Sequence, residues 1–273
     1  MFRPTPGGAA LAALGSEPVV RARFATAAPR ARRAPRGGAI AAALAATARG
    51  RFDPVERVWL ERIEERRREL TSRREEIRSG VAPEGGDVPS WARGFAGSIP
   101  LWGATVMVSI PPVWGRLLFR LVRELRPART VELGAAFGIS ALFQAAALEL
   151  NGEGETVAID AARDWAAVAE EGFAALGLER RTRMRVGLLE DVLAEVIEGG
   201  APVDFAFVDA EHEGPATRRH FDALVPHLAP GAVVVFDDVW TPREMRDAWR
   251  AIRRHPAAKA SLGLGRMGLV VAG

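Results

Sequence analysis

From Pro111 to the last residue, short apolar runs alternate with longer amphipathic ones, and this alternation limits the fold more than any other feature of the chain. The apolar runs are TVEL (130–133), TVAID (156–160), TRMRV (182–186), VDFAFVD (203–209) and AVVVF (232–236). Helical periodicity fills the stretches near 113–125, 138–150, 162–176, 189–198, 214–228 and 241–254. Strands this apolar, separated by helices of this length, need crossover connections. They imply a parallel sheet covered on both faces, the doubly wound α/β class. The closing SLGLGRMGLVVAG holds two short apolar runs around Gly265 and Arg266, which predicts an antiparallel hairpin at the sheet edge.

The chain before Pro111 has a different character. Residues 1–50 carry eight Arg and a single acid, Glu17, about +7 in net charge, and are otherwise rich in Ala, Pro and Gly. With no amphipathic period they are expected to form a disordered basic tail, because they offer too little apolar surface to offset the entropy of ordering. Residues 51–110 read as a helical extension and linker. Asp53 as N-cap, Pro54 at the first helical position and Glu56 three residues after the cap form a capping-box signature, predicting a helix that runs to Gly80. Its thin apolar stripe, Val55, Trp59, Ile63, Leu70 and Ile77, suits docking or pairing into a homodimer. VAPEGGDVPS (81–90) reads as a linker. Residues 111–273 read as one α/β domain.

Charge and composition exclude several classes. With no cysteine, disulfides, thiolate metal sites and cysteine nucleophiles are absent. Outside the tail, acids outnumber bases by four, so the overall +3 gives the folded part no cationic face for phosphates, and nucleic acid is not the expected partner. The alternative is an RNA-binding or RNA-modifying protein that uses the basic tail without a metal. No stretch reaches the ~18 apolar residues of a membrane span, and a cytoplasmic location is expected.

In open α/β sheets a ligand sits beyond the carboxyl ends of the strands, beside the first one. Here that strand runs into ELGAAFGIS (132–140), whose Gly134 and Gly138 are spaced G-x-x-x-G and do not meet the dinucleotide pattern G-x-G-x-x-G. Gly134 allows a tight turn, and Gly138 lets the next helix approach. The second strand ends at Asp160, an acid placed to accept from ribose hydroxyls. Gly187 and Leu188, after the third strand, are placed to floor an adenine ring. Asp209, Asp237 and Asp238 end the fourth and fifth strands, expected to be neighbours about 4.8 Å apart. Carboxylates so crowded repel unless a cation sits among them or one is protonated. Oxygen ligands alone favour Mg²⁺, Mn²⁺ or Ca²⁺. The other reading makes Asp237 a helix cap and Asp209 a cofactor-positioning residue in a metal-free enzyme.

Together ELGAAFGIS, Asp160, VGLLED, FVDAEH and VFDDVW resemble the class I S-adenosylmethionine-dependent methyltransferases, and within them the metal-dependent catechol and caffeoyl-CoA O-methyltransferases, over about residues 111–273. The resemblance implies a Rossmann-like, mostly parallel seven-stranded sheet that binds S-adenosylmethionine. It assigns Glu132, Gly134, Gly138 and Ser140 to the methionine part, with Ala135 and Phe137 from the same loop, and Asp160 with Ala161 to the ribose. Gly187 and Leu188 fall near adenine, and Asp209 lies against the cofactor. It further implies a divalent metal on Asp209, Asp237 and Asp238, with Asp238 standing where the family has Asn. His212, three residues after Asp209, takes the place of a lysine that receives the acceptor proton; a histidine can serve as general base there. Trp102, Trp114 and Trp240 are candidates to wall an aromatic acceptor. The expected reaction is methyl transfer to a hydroxyl of a small molecule, a phenol or natural-product-like acceptor.

Overall fold

The computed structural model describes residues 16–78 and 97–273. Seven strands form the central sheet: β3 (Arg129–Leu133), β4 (Glu155–Asp160), β5 (Thr182–Val186), β6 (Val203–Val208), β7 (Leu228–Phe236), β8 (Ala258–Gly263) and β9 (Gly268–Ala272). Their order is β5-β4-β3-β6-β7-β9-β8. The first five are parallel, and β9 and β8 close the edge antiparallel, as the terminal hairpin pattern predicts. The sheet reverses direction of growth at β3, so the crevice of a doubly wound fold opens beside β3, between its two flanking neighbours β4 and β6.

Alternation along each strand sorts the core into two layers. Phe205 and Phe207 of β6 point to one face, and Ala206 and Val208 to the other. The first face is covered by α5 (Pro112–Leu125), α6 (Ile139–Asn151) and α7 (Arg163–Leu176), the second by α8 (Leu189–Glu198), α9 (Gly214–Leu224) and α10 (Arg243–Ile252). Every residue of β3 is buried, as befits an interior strand of a sheet covered on both sides.

The basic N-terminal stretch corrects the sequence reading. Residues 1–15 lie outside the described part, but α1 (Glu17–Ala31) and α2 (Gly37–Arg49) are helices packed into the core, with Val20, Phe24, Ile40 and Leu44 buried. Phe24 stands edge-on to Trp114 of α5, ring centroids 5.0 Å apart. Alanine explains the difference: it has the highest helix propensity and loses no side-chain entropy, and its small side chain lets helices approach closely without a strong amphipathic signature. The arginines work locally. Arg21 Nε donates to Ala48 O (2.8 Å) and joins α1 to α2, while Arg36 Nη2 donates to Leu125 O (2.5 Å).

The capping box at Asp53 is present in full and opens α3 (Pro54–Ser72). This helix stops eight residues short of Gly80. The chain then extends into β1 (Glu76–Arg78), which pairs antiparallel with β2 (Ser98–Pro100) and so buries Ile77 opposite Ile99. The expected linker 81–90 lies outside the described residues. The buried stripe of α3 is Leu60, Ile63 and Leu70, with Val55 exposed, and the helix docks on its own domain: Arg62 and Arg66 donate to the carbonyls of Leu176 and Val168 on α7. After β2 comes α4 (Leu101–Val108). Among the described residues no single helix is long and apolar enough to cross a membrane; α4 and α5 pass together only as a pair bent by 60°, and α5 belongs to the core.

Candidate functional site

Backbone bonding continues past the strand ends and brings the motif loops together. Gly134 N and Ala135 N both donate to Ile159 O (3.0 and 3.1 Å), and Asp209 N donates to Leu133 O (2.9 Å). Asp237 N donates to Val208 O and Gly187 N to Asp160 O, each at 3.0 Å. Asp160, Gly134, Asp209 and Asp237 are therefore consecutive across the carboxyl edge of β4, β3, β6 and β7. Gly134 has φ +85°, and a Cβ there would fall 2.4 Å from the Asp209 carbonyl oxygen, so only glycine permits this crossing of the two loops. Gly138, φ +75°, caps α6 where a side chain would meet Ala169 and Phe173 of α7.

A cavity of about 330 Å³ opens at this edge. Of the residues singled out from sequence, Gly134, Asp160, Ala161, Leu188, Asp209, His212 and Asp238 line it. Ala135, Phe137, Gly138 and Ser140 are buried behind the wall, as is Glu132, while Gly187 forms the turn beneath Leu188. Asp237 is buried below the floor. The tryptophan candidates are not among the lining residues: Trp114 is buried against Phe24 of α1, and Trp102 and Trp240 are exposed. Trp165, at the start of α7, lines the cavity instead, tilted against Phe137 with centroids 4.9 Å apart. Met107, Val108, Ala136, Glu190, Glu211 and Arg266 also line it and carried no signal strong enough to single them out as site residues.

The Asp160 carboxylate accepts from Ala136 N (2.7 Å) and Ala162 N (2.8 Å), which fixes it at the end of β4. Burial nevertheless raises its pKa, against those two bonds. Glu132 is fully buried and accepts from the Ser140 hydroxyl and from Gln144 Nε2; burial outweighs both bonds and pushes its carboxyl up to about 8. Asp209 Oδ1 is buried with no hydrogen-bond partner, and burial, then the charge of Asp237, lifts the Asp209 pKa well above the usual carboxylate range. Burial and Asp237 likewise raise Asp238.

His212 stands between these acids. Its Nε2 is 3.8 Å from Asp209 Oδ1 and its Nδ1 3.7 Å from Asp238 Oδ2, with the imidazole partly open to solvent. Four non-glycine residues of the cavity wall have left-handed backbones: Ala136 (φ 45°), Glu211 (61°), His212 (49°) and Asp238 (48°). Each such conformation costs about 1–3 kcal/mol, and strain of this kind gathers where side chains must be aimed at a ligand.

The acids assigned to a divalent metal are arranged otherwise. Both Asp237 oxygens accept from Arg266, Nε at 2.8 and 3.0 Å and Nη2 at 2.6 Å, and Arg266 Nε lies 3.5 Å from Asp238 Oδ1. Burial opposes the guanidinium charge, but Asp237, then Asp238 and Asp209, hold the Arg266 pKa above its ordinary value. A cation already sits among the three carboxylates, and it belongs to the chain. Among the described residues no group of three or more His, Cys, Asp or Glu side chains is placed to hold a metal. In this arrangement Arg266 engages the carboxylates of Asp237 and Asp238 that a divalent ion would need, and the metal expected from the resemblance on Asp209, Asp237 and Asp238 is not shown. The described part of the basic N-terminal stretch is folded into helices, with Arg21 and Arg36 bonded to carbonyls, and the RNA-binding alternative has no support.

The chain matches known proteins over this same region. A methyltransferase domain family fits residues 131–239. A catechol O-methyltransferase of Niastella koreensis is 32% identical over 133 residues, 48% of this chain and 58% of that one. A caffeoyl-CoA O-methyltransferase of Stellaria longipes is 29% identical over 131 residues, covering 46% and 52%. The chain thus spans about half the length of the curated relatives it matches. Among solved structures, the O-methyltransferase TomG of Streptomyces achromogenes, in complex with S-adenosylmethionine, superposes with a TM-score of 0.53 at 25% identity over 61% of this chain and 82% of that one. An O-methyltransferase of Bacillus cereus, in complex with S-adenosylhomocysteine, shares the fold with a TM-score of 0.53 at 22% identity, covering 62% and 86%.

Proposed function

We propose that this chain is a class I S-adenosylmethionine-dependent methyltransferase, similar in sequence to the catechol and caffeoyl-CoA enzymes, and that it transfers a methyl group to a hydroxyl oxygen of a small, phenol-like acceptor. The observation that carries this reading is the cavity in which Gly134, Asp160 and the unpartnered Asp209 Oδ1 meet. Its parts suit the cofactor. Asp160 has lone pairs left for ribose hydroxyls. Leu188, at the surface of the turn after β5, offers an apolar floor for adenine. Asp209 Oδ1 is a buried acceptor that would take an ammonium proton, the one polar partner it lacks.

S-adenosylmethionine, when bound, supplies a methyl carbon already activated by a sulfonium sulfur. The chain then has to position the acceptor and remove its proton. Transfer of that carbon to the acceptor oxygen would leave the sulfur as a neutral thioether, and the His212 imidazole, between Asp209 and Asp238, is the group that would take the hydroxyl proton. Orientation of bound reactants can be worth up to ~10 kcal/mol. Met107 and Val108 of α4 give the acceptor end an apolar edge. No step is assigned to a divalent metal, because Arg266 holds the acids that would bind it.

The test is transfer of a labelled methyl group from S-adenosylmethionine to a panel of catechols and hydroxycinnamates. Labelled O-methyl product supports the reading. Labelled product found only on nitrogen or carbon acceptors, or on RNA, would refute it.

A further inference from the structure

The acids at the ends of β6 and β7 have a cation among them that arrives from a distant part of the chain. Arg266 lies at the tip of the β8–β9 hairpin, 28 residues beyond Asp238, and its position is fixed from several sides. Val239 N donates to Arg266 O (2.9 Å), tying the hairpin tip to the loop that carries Asp238. Leu264 N donates to Met267 O (2.8 Å), closing the turn, and Met267 is fully buried. The guanidinium then meets Asp237 through three contacts of 2.6–3.0 Å, with the Asp237 side chain fully buried. A side chain pinned at both its backbone and its head is a built element of the site.

We propose that Arg266 is the resident cation of this site, standing in place of a divalent metal. Its guanidinium neutralises Asp237 and Asp238, excludes Mg²⁺ and Mn²⁺ from the acid cluster, and makes cofactor binding and methyl transfer independent of added metal. The geometry gives the reason. A divalent ion needs carboxylate oxygens with free lone pairs converging at about 2.0–2.6 Å. Asp237 presents both oxygens to Arg266, and Asp238 has the same guanidinium 3.5 Å away. Seating a metal would break the paired contact and leave a half-buried guanidinium beside a dication, two like charges where there is now a matched pair. The guanidinium also has more N–H groups than Asp237 uses, on a side chain that lines the cavity, so it offers donors to an acceptor oxygen as negative charge develops there. This last role rests on the methyltransferase reading; the exclusion of metal does not.

The two are tested separately on the full-length chain, stripped with EDTA and dialysed. Mn²⁺ binding is followed by electron paramagnetic resonance, and S-adenosylhomocysteine binding by calorimetry on the same samples. The wild type is expected to show no saturable Mn²⁺ site, and turnover unchanged by EDTA or by added Mg²⁺. Arg266→Ala releases the carboxylates and is expected to gain a saturable Mn²⁺ site, at least about tenfold tighter than any binding by the wild type; Arg266→Lys keeps the charge and gains none. If Arg266→Ala does not fold, Arg266→Gln takes its place, being neutral and of similar length. Saturable Mn²⁺ binding by the wild type that Asp238→Ala removes would overturn the proposal, and so would a folded neutral variant that gains no site. Absence of S-adenosylhomocysteine binding in the wild type refutes the methyltransferase reading and leaves the Mn²⁺ result to be judged by itself.

Discussion

Replacing Glu132 by Gln should make the protein more stable in mild alkali. Glu132 sits next to the carboxyl end of β3 with no solvent exposure, and burial pushes its carboxyl from 4.5 up to about 8. A carboxyl raised on folding contributes stability that is fully present below its unfolded value. That contribution falls as pH rises from about 4.5, and its loss is complete above about 8. Each tenfold change in proton affinity is worth about 1.36 kcal/mol, so the whole displacement amounts to about 5 kcal/mol at its ceiling, and about 3 kcal/mol of this falls between pH 6 and 8.5. Glutamine has the same shape and no charge to desolvate. Its carbonyl can still accept from Ser140, and its amide can donate to Gln144 Oε1, which is buried and has no partner, once the Gln144 amide turns over. Asp160 and Asp209 are also raised and weaken the wild type in the same direction, so the comparison isolates Glu132. The assay is urea unfolding of the cofactor-free protein at pH 6 and pH 8.5. Wild type should lose stability across this range, and Glu132→Gln should lose about 3 kcal/mol less. Parallel pH profiles for the two proteins would refute the reasoning.

Phe24→Ala removes a fully buried ring from the contact between α1 and α5 and should cost about 3–5 kcal/mol in urea unfolding; a change within 0.5 kcal/mol would mean that the N-terminal helices are not part of the core. Gly134→Ala forces a side chain into φ +85° and to 2.4 Å from the Asp209 carbonyl oxygen, so S-adenosylhomocysteine binding by calorimetry should be lost, with about 1–2 kcal/mol of stability going to backbone strain alone. His212→Ala should lower kcat for methyl transfer by about 10²- to 10⁴-fold while S-adenosylhomocysteine affinity persists, and an unchanged kcat would move the proton-accepting role to another group.

The parallel strands and the terminal hairpin were legible because each is a contiguous apolar run, and a buried strand can be read locally. The acids at their ends were legible for the same reason: a charge following four or five apolar residues is held at a strand terminus. Gly134 and Gly138 announced a turn, and both have positive φ. What lay hidden depends on contacts between distant residues. Arg266 is recognisable as a hairpin tip, but nothing in RMG says that the guanidinium reaches Asp237. Trp165 became a wall of the cavity because α7 begins next to Asp160, whereas Trp114, closer in kind to the expected aromatic wall, was drawn into the core by Phe24. The N-terminal helices escaped notice because alanine contributes little to an amphipathic pattern, even though α2 buries Ala41, Ala43 and Leu44. The stretch read as a disordered basic tail, whereas Arg21 and Arg36 within it tie backbone carbonyls.

The claim on which the rest depends is that the cavity at the ends of β3, β4 and β6 holds S-adenosylmethionine through Asp160. It is tested most directly by calorimetric titration of the EDTA-treated protein with S-adenosylhomocysteine, beside NAD as the control adenosine ligand and Asp160→Ala as the control variant. The account predicts one saturable site for S-adenosylhomocysteine, no heat with NAD, and binding weakened by about 1–3 kcal/mol in Asp160→Ala through lost hydrogen bonds to the ribose. Saturable binding of NAD with no response to S-adenosylhomocysteine would contradict it.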